Sequence, residues 1–271
     1  MIKTEMRNEK TMHIDKMDTL SMLKIMNEEN KNAVLAVERA MEDIAKACDA
    51  VAAAFENKGR LFYIGAGTSG RLGVMDAAEC PPTFGVPKDQ VIAIIAGGMK
   101  SLMEASENVE DDGVLGRNDL MAYNITSRDV VMGISAAGGA RYVMGALEYA
   151  KSMGCTTVGL TCNKNSIINI YSDISICTDT GAEVVTGSTR LKAGTAHKLV
   201  LNMLSTCAMI KTGKVYENFM INLKPMNEKL RKRMIGIVTT LTSYDDSVAV
   251  DKLNQFQWNI KKVMDDYKVQ K

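Results

Sequence analysis

Apolar and β-branched positions along this chain gather into short runs, separated by stretches with helical spacing. The runs occupy residues 61–64, 91–96, 130–135, 156–161 and 174–177, and most are rich in β-branched side chains. Continuous apolar runs without alternation mark strands that are covered on both faces. Helical patterns lie between them, near 71–78, 100–109 and 141–153. Strands alternating with crossover helices predict an α/β fold, an open parallel five-stranded sheet in three layers with helices on both faces. Ligands of such sheets bind outside the carboxyl ends of the strands, near the point where the strand order reverses.

The flanks read as helices. A short one is expected over 18–26. Val34, Val37, Met41, Ile44, Cys48, Val51 and Phe55 recur at spacings of three and four, which predicts a longer helix that Asn30 or Asn32 caps and Gly59 ends. Its apolar stripe suits either the core or a second subunit. Residues 192–212 form a helical pattern that is apolar nearly all round between Leu199 and Ile210, as in a buried helix closed by Gly213. Beyond Pro225 the pattern is charged and helical, over 226–241 and 246–267. No Pro/Gly-rich linker, repeat or low-complexity tract interrupts the chain.

Composition narrows the class. The 271 residues suit one large or two modest domains, and Lys and Arg (33) balance Asp and Glu (32) to a net charge of +1. Nucleic-acid and membrane-surface binders need a basic excess, so neither partner is expected. No apolar run approaches the roughly 20 residues of a membrane span. The first residues, MIKTEMRNEKTMHIDK, hold no apolar signal core, which predicts a cytoplasmic protein. The six cysteines form no C-x-x-C pair and sit among apolar neighbours, as buried free thiols of a reducing compartment do. With His13 and His197 the only histidines, no metal site is expected.

Chemistry concentrates in three segments. The first, GAGTSGRLGVMDAAECPPTFG at 65–85, reads as a glycine turn between a strand and a helix. Gly65, Gly67 and Gly70 let the backbone approach a ligand, and Thr68 and Ser69 add hydroxyls at a helix N-terminus, with Arg71 just beyond. Free N–H groups and the helix dipole favour an anion there, and phosphate is the natural guest. Glu79 is unsuited to holding phosphate and suited to moving a proton. The literal G-x-G-x-x-G match does not extend to a dinucleotide site, because the second strand ends in Gly97-Gly98-Met99 without an acid for the ribose, and Asp89 precedes that strand.

The second segment, GSTRLKAGTAHK at 187–198, crowds Ser188, Thr189, Arg190 and Lys192 where the long helix begins. It fits an anion-binding terminus or simple capping with solvated cations. The third, SLMEASENVEDD at 101–112, puts Glu104, Glu107, Glu110 and Asp111 on one short helix. Glu104 reads as solvated. Glu107 and Glu110, three residues apart, share a side, and one of them is expected at a pocket edge.

These segments, with TEMRN, IDKM, NEENKNAVLAVE, ENVEDDG, GAEVVTGSTRLKAGTAHKLVLNMLST and KTGKVYENFMINL, resemble the N-acetylmuramic acid 6-phosphate etherases of the sugar isomerase (SIS) superfamily over nearly the whole length. The resemblance implies an N-terminal helical segment (1–52), a SIS sugar-phosphate-binding domain (53–216) and a C-terminal helical extension (217–271). It implies a homodimer with sites near the interface and a lyase that opens the lactyl ether of the amino-sugar phosphate, giving N-acetylglucosamine 6-phosphate and D-lactate. By position Glu79 matches the proton-donor glutamate and Glu110 the second catalytic one. Phosphate and substrate contacts are expected from Gly67, Thr68, Ser69, Arg71, Ser135, Gly138, Ser188, Thr189, Arg190 and Lys192, and from Glu183 as a polar partner of the sugar. His197 reads as a packed side chain. No metal or organic cofactor is required by this chemistry.

Two departures from the family stand out. Where etherases carry a Ser-Gly-Arg-Thr-Pro-like loop, this chain reads Ser135-Ala136-Ala137-Gly138-Gly139-Ala140-Arg141, so Ala137 and Ala140 stand where hydroxyls are expected. The sequence also stops at Lys271 where members continue into another helical stretch, with expected effects on dimer packing or site closure. The altered loop keeps open a different reading, a non-catalytic sugar-phosphate regulator resembling the glucokinase regulatory proteins. A sugar-phosphate isomerase using the same proton abstraction is a third.

Overall fold

The structure, a computed structural model, describes residues 2–104, 106 and 108–269. The chain forms two compact units: residues 1–77 with 89–208, and residues 78–88 with 209–271.

The first unit opens with 3-10 turns at Lys3–Glu5, Glu9–Thr11 and Ile14–Lys16, then helices α1 (Thr19–Glu38) and α2 (Met41–Glu56). β1 (Leu61–Gly65) leads into α3 (Gly67–Phe84), β2 (Val91–Ile95) into α4 (Lys100–Met103), a 3-10 turn at Val109–Asp111 and α5 (Gly113–Met121). β3 (Val130–Ile134) precedes α6 (Arg141–Ser152), β4 (Thr156–Thr161) precedes a 3-10 turn at Ile167–Tyr171, and β5 (Ile174–Cys177) precedes α7 (Lys192–Lys211).

The strands pair in the order β2-β1-β3-β4-β5, all parallel. Gly65, at the end of β1, pairs with Ile134 at the end of β3. The chain leaves β1 toward β2 on one side and returns to β3 on the other, so the order reverses between β1 and β3. The crevice for a ligand opens there. Below it the central strands β1 and β3 are buried at every position, and Phe62, Ile64, Val131, Val143, Leu147 and Ile168 share one core cluster. Burial on both faces is why these two strands show as nearly continuous apolar runs.

The helices depart from the sequence reading in several places, among them α5, which was not expected, and the pattern over 246–267, which is two helices (Asp246–Gln255 and Ile260–Val269). Asp18, rather than Asn30 or Asn32, caps α1, its carboxylate accepting the Ser21 N–H at 3.1 Å. The polar run NEENKN lies inside a single helix because its side chains face solvent or an ion pair, and the break falls at Arg39–Ala40, where neither Gly nor Pro marks it. α3 runs through Pro81 and Pro82 into its last turn. Proline's fixed φ is helical, so each ring forfeits a hydrogen bond near the end without stopping the helix. The acids of 101–112 do not share a helix. Glu104 caps the C-terminus of α4, while Glu110 and Asp111 sit in the separate 3-10 turn. Glu107 lies outside the described residues.

The second unit holds the β6–β7 hairpin (Val215–Tyr216, Phe219–Met220) and helices α8 (Glu228–Leu241), α9 (Asp246–Gln255) and α10 (Ile260–Val269). Its core gathers Ile221, Met234, Val238, Leu253, Ile260 and Val263. Asn227 and Asp245 cap α8 and α9 through the N–H groups of Leu230 (2.8 Å) and Val248 (2.9 Å).

Candidate active site

A cavity of about 360 Å³ opens at the β1/β3 reversal. Its walls come from the N-terminus of α3 (Ala66, Gly67, Thr68, Ser69), the loop after β3 (Ser135, Ala136, Ala137, Gly139, Ala140) and the approach to α7 (Gly187, Thr189, Gly194, His197). Glu5, Glu110 and Asp111 complete the lining. One side therefore offers helix-start amides that suit an anion, and the rest offers carboxylates that suit proton transfer or hydrogen-bond donors.

The glycine turn works by close approach. A Cβ on Gly70 would lie 2.6 Å from Gly65 O and from Ile95 Cγ1, so α3 could not start against the sheet with any larger residue. Behind the loop after β3, Ser135 Oγ accepts the Gly138 N–H at 3.1 Å, and Asn163 Nδ2 reaches Ala136 O at 3.1 Å. The hydroxyl that the sequence left in this loop is thus spent in part on holding the turn. Gly138 belongs to that turn but does not line the cavity, whereas Ala137 and Ala140 do.

The α7 terminus is held from behind. Glu183, fully buried, accepts the N–H groups of Lys192 (3.3 Å) and Ala193 (2.9 Å), and burial raises its pKa despite those bonds. Lys192 is itself buried, with Nζ 2.5 Å from Glu29 Oε2. Burial opposes ionisation of Glu29, but hydrogen bonds from Lys192, Lys10 and Asn8 outweigh it and hold its carboxyl at about 2. The sequence reading gave Glu183 and Lys192 to the ligand. Here both are turned away from the cavity, because a helix start buried in the fold needs a cap and a buried cation needs a carboxylate.

Other expected contacts also stand elsewhere. Arg71 donates to Leu102 O (3.1 Å) and Glu104 O (3.0 Å), bracing the segment that follows α4. Ser188 and Arg190 do not line the cavity, and Arg190 is exposed. Glu79 is exposed on α3, in the second unit.

His197 is packed, as the sequence reading had it, and two further features, Asp76 and Glu5, escaped the sequence. His197 borders the cavity at 1% exposure, its Nε2 3.5 Å from Cys162 Sγ, and burial lowers its pKa to about 4, so it stays neutral near pH 7. Asp76, buried, accepts Tyr63 OH (2.9 Å), Asn202 Nδ2 (2.6 Å) and Ser205 Oγ (3.2 Å), locking β1, α3 and α7 together, and burial raises its pKa. Glu5 arrives from the N-terminal turns, and although TEMRN carries the resemblance, nothing in that segment marked the glutamate as a site residue. Among the described residues no group of three or more His, Cys, Asp and Glu could hold a metal ion, and no helix is long and apolar enough to cross a membrane.

The architecture has solved counterparts. The phosphoheptose isomerase of Neisseria gonorrhoeae superposes with a TM-score of 0.55 at 18% identity, covering 70% of this chain and 98% of its own. A family model described as the glucokinase regulatory protein N-terminal SIS domain matches residues 43–151. Fold and cavity together define a protein of the SIS class. Sequence similarity goes further: the N-acetylmuramic acid 6-phosphate etherase of Psychromonas ingrahamii is 52% identical, over 88% of this chain and 81% of its own length. Etherase 1 of Bacillus licheniformis is 49% identical, over 96% and 86%. The chain belongs to the N-acetylmuramic acid 6-phosphate etherase family.

Proposed function

We propose that this protein is a carbon–oxygen lyase, cleaving the lactyl ether of N-acetylmuramic acid 6-phosphate to N-acetylglucosamine 6-phosphate and D-lactate. The observation that carries the reading is Glu110 at a cavity walled by two helix N-terminal regions, in a chain about half identical to named etherases. The phosphate lies against the amides of Gly67–Ser69 and the loop after β3. In the open-chain sugar the aldehyde acidifies the hydrogen on carbon 2. Glu110 removes that proton, and lactate departs from carbon 3 as its ether oxygen is protonated. Water then adds to the unsaturated aldehyde, so substrate and water balance the two products. His197, neutral and buried, contributes no cation to this wall.

Glu79 is the acid in this proposal, and it comes from a second copy. Its exposure on α3 leaves it open to a second copy, which supports a homodimeric site. Mixing tests this directly. Glu79→Gln and Glu110→Gln homodimers are each nearly inactive, but after subunit exchange half the dimers are mixed and each holds one intact site. About a quarter of the parent's D-lactate release should return. No recovery in a mixture shown to contain mixed dimers removes the shared site.

Ligand binding without any lactate from the parent protein would favour the regulator instead. The loop offers a further check. Ala137→Ser with Ala140→Thr restores hydroxyls to the cavity wall, and a hydrogen bond to a charged group is worth about 1.5–3 kcal/mol. KM for the phosphosugar should fall at least about 10-fold. An unchanged KM would take phosphate away from this loop.

A further inference from the structure

We propose that Glu5 is a substrate-binding carboxylate of this same site, accepting hydrogen bonds from hydroxyl or amide N–H donors on the uncharged part of the sugar. The proposal rests on the phosphosugar reading of the cavity and adds a residue to it. Glu5 lines the cavity with Glu110 and Asp111. Its carboxylate lies over the turn at Gly187, where φ is +74° and an added Cβ would come within 3.1 Å of Oε2. Its side chain makes no hydrogen bond or ion pair with another described residue.

The segment that brings it there is firmly attached. The Lys3 N–H donates to Asn163 Oδ1 at 2.8 Å, and Lys3 Nζ pairs with Asp179. Thr4 is fully buried and accepts from Asn163 Nδ2 at 3.4 Å. The same Asn163 amide holds Ala136 O in the loop after β3. Farther along, Thr11 Oγ1 donates to Val184 O at 2.9 Å and Asn8 Nδ2 to Ala182 O at 3.1 Å. A side chain on so well anchored a strap, yet unpaired itself, is held toward the cavity rather than recruited to hold the fold.

Charge decides what it binds. A phosphate or lactyl carboxylate beside Glu5 would be repelled by its charge. The anionic ends therefore lie toward the helix-start amides, and the middle of the sugar, with its hydroxyls and acetamido N–H, faces Glu5. A carboxylate accepts such donors in charge-assisted bonds.

The test uses the full chain with Glu5→Ala and Glu5→Gln, and it reads D-lactate release, melting temperature and calorimetric binding of N-acetylglucosamine 6-phosphate. Glu5→Ala should raise KM and Kd about 10- to 100-fold while kcat stays within about threefold and the melting temperature holds. Glu5→Gln, which still accepts hydrogen bonds, should recover part of that loss. Unchanged Kd in Glu5→Ala overturns the proposal, as does a weakening matched by a fall in melting temperature. If the parent releases no lactate but binds the phosphosugar, the etherase reading falls, and the calorimetric arm still decides the role of Glu5.

Discussion

Glu110→Gln is expected to slow D-lactate release by about 10²–10⁴-fold while leaving KM nearly unchanged. The amide keeps the shape of the carboxyl and removes its basicity, so an interaction made in the transition state is lost and ground-state contacts remain. Glu110 is exposed in a 3-10 turn, and exposed substitutions shift stability by only about 0.5 kcal/mol, so the melting temperature should hold. Its role as base has its own signature. The parent should exchange the carbon-2 hydrogen with deuterated solvent, and the variant should lose that exchange along with turnover. Asp111, the next residue and also on the cavity, is the one nearby carboxylate of the same turn able to substitute. Asp111→Asn should therefore retain most activity. Turnover that survives Glu110→Gln and disappears in Asp111→Asn would move the base by one residue.

The sheet was legible because its physics is local. A strand covered on both faces has few places for polar side chains, and 61–64 and 130–134, buried at every position, carry that requirement openly. α5 was not legible for the opposite reason. Its glycines, ordinarily signs of a break, are its packing surface: a Cβ on Gly116 would lie 1.9 Å from Tyr142 O, and one on Gly145 of α6 would lie 2.0 Å from Gly113 O. Two helices touching through backbone leave no amphipathic stripe to read. In the site, the glycine turn was visible because its strand, turn and helix start are contiguous, whereas spacing left Glu107 and Glu110 open and only the resemblance singled out Glu110. Glu5 was not, since its place depends on contacts such as Lys3 with Asn163, 160 residues apart. Lys192 shows the converse. A cation at a helix start looks like an anion ligand until Glu29, from a distant helix, is found beside it.

That pair gives the largest stability effect expected in the molecule. Lys192→Met should destabilise the fold by about 3–5 kcal/mol, because it leaves Glu29 buried without its closest cation. Both side chains are under 5% exposed, and Lys10, which also reaches Glu29 at 2.9 Å, is itself 65% exposed and screened. For a protein of this size the melting temperature should drop by roughly 6–20 °C. Removing both charges as Lys192→Met with Glu29→Leu should recover much of the loss, since no ion is then stranded. Acid gives an independent reading. The Glu29 carboxyl is depressed from 4.5 to about 2, so its contribution is complete above pH 4.5 and fades as pH falls toward 2. Parent and Lys192→Met melting curves should accordingly converge across that window. Lys192 as a phosphate ligand predicts the reverse pattern, a KM raised severalfold in a variant that melts where the parent does, and that result would return the side chain to the cavity.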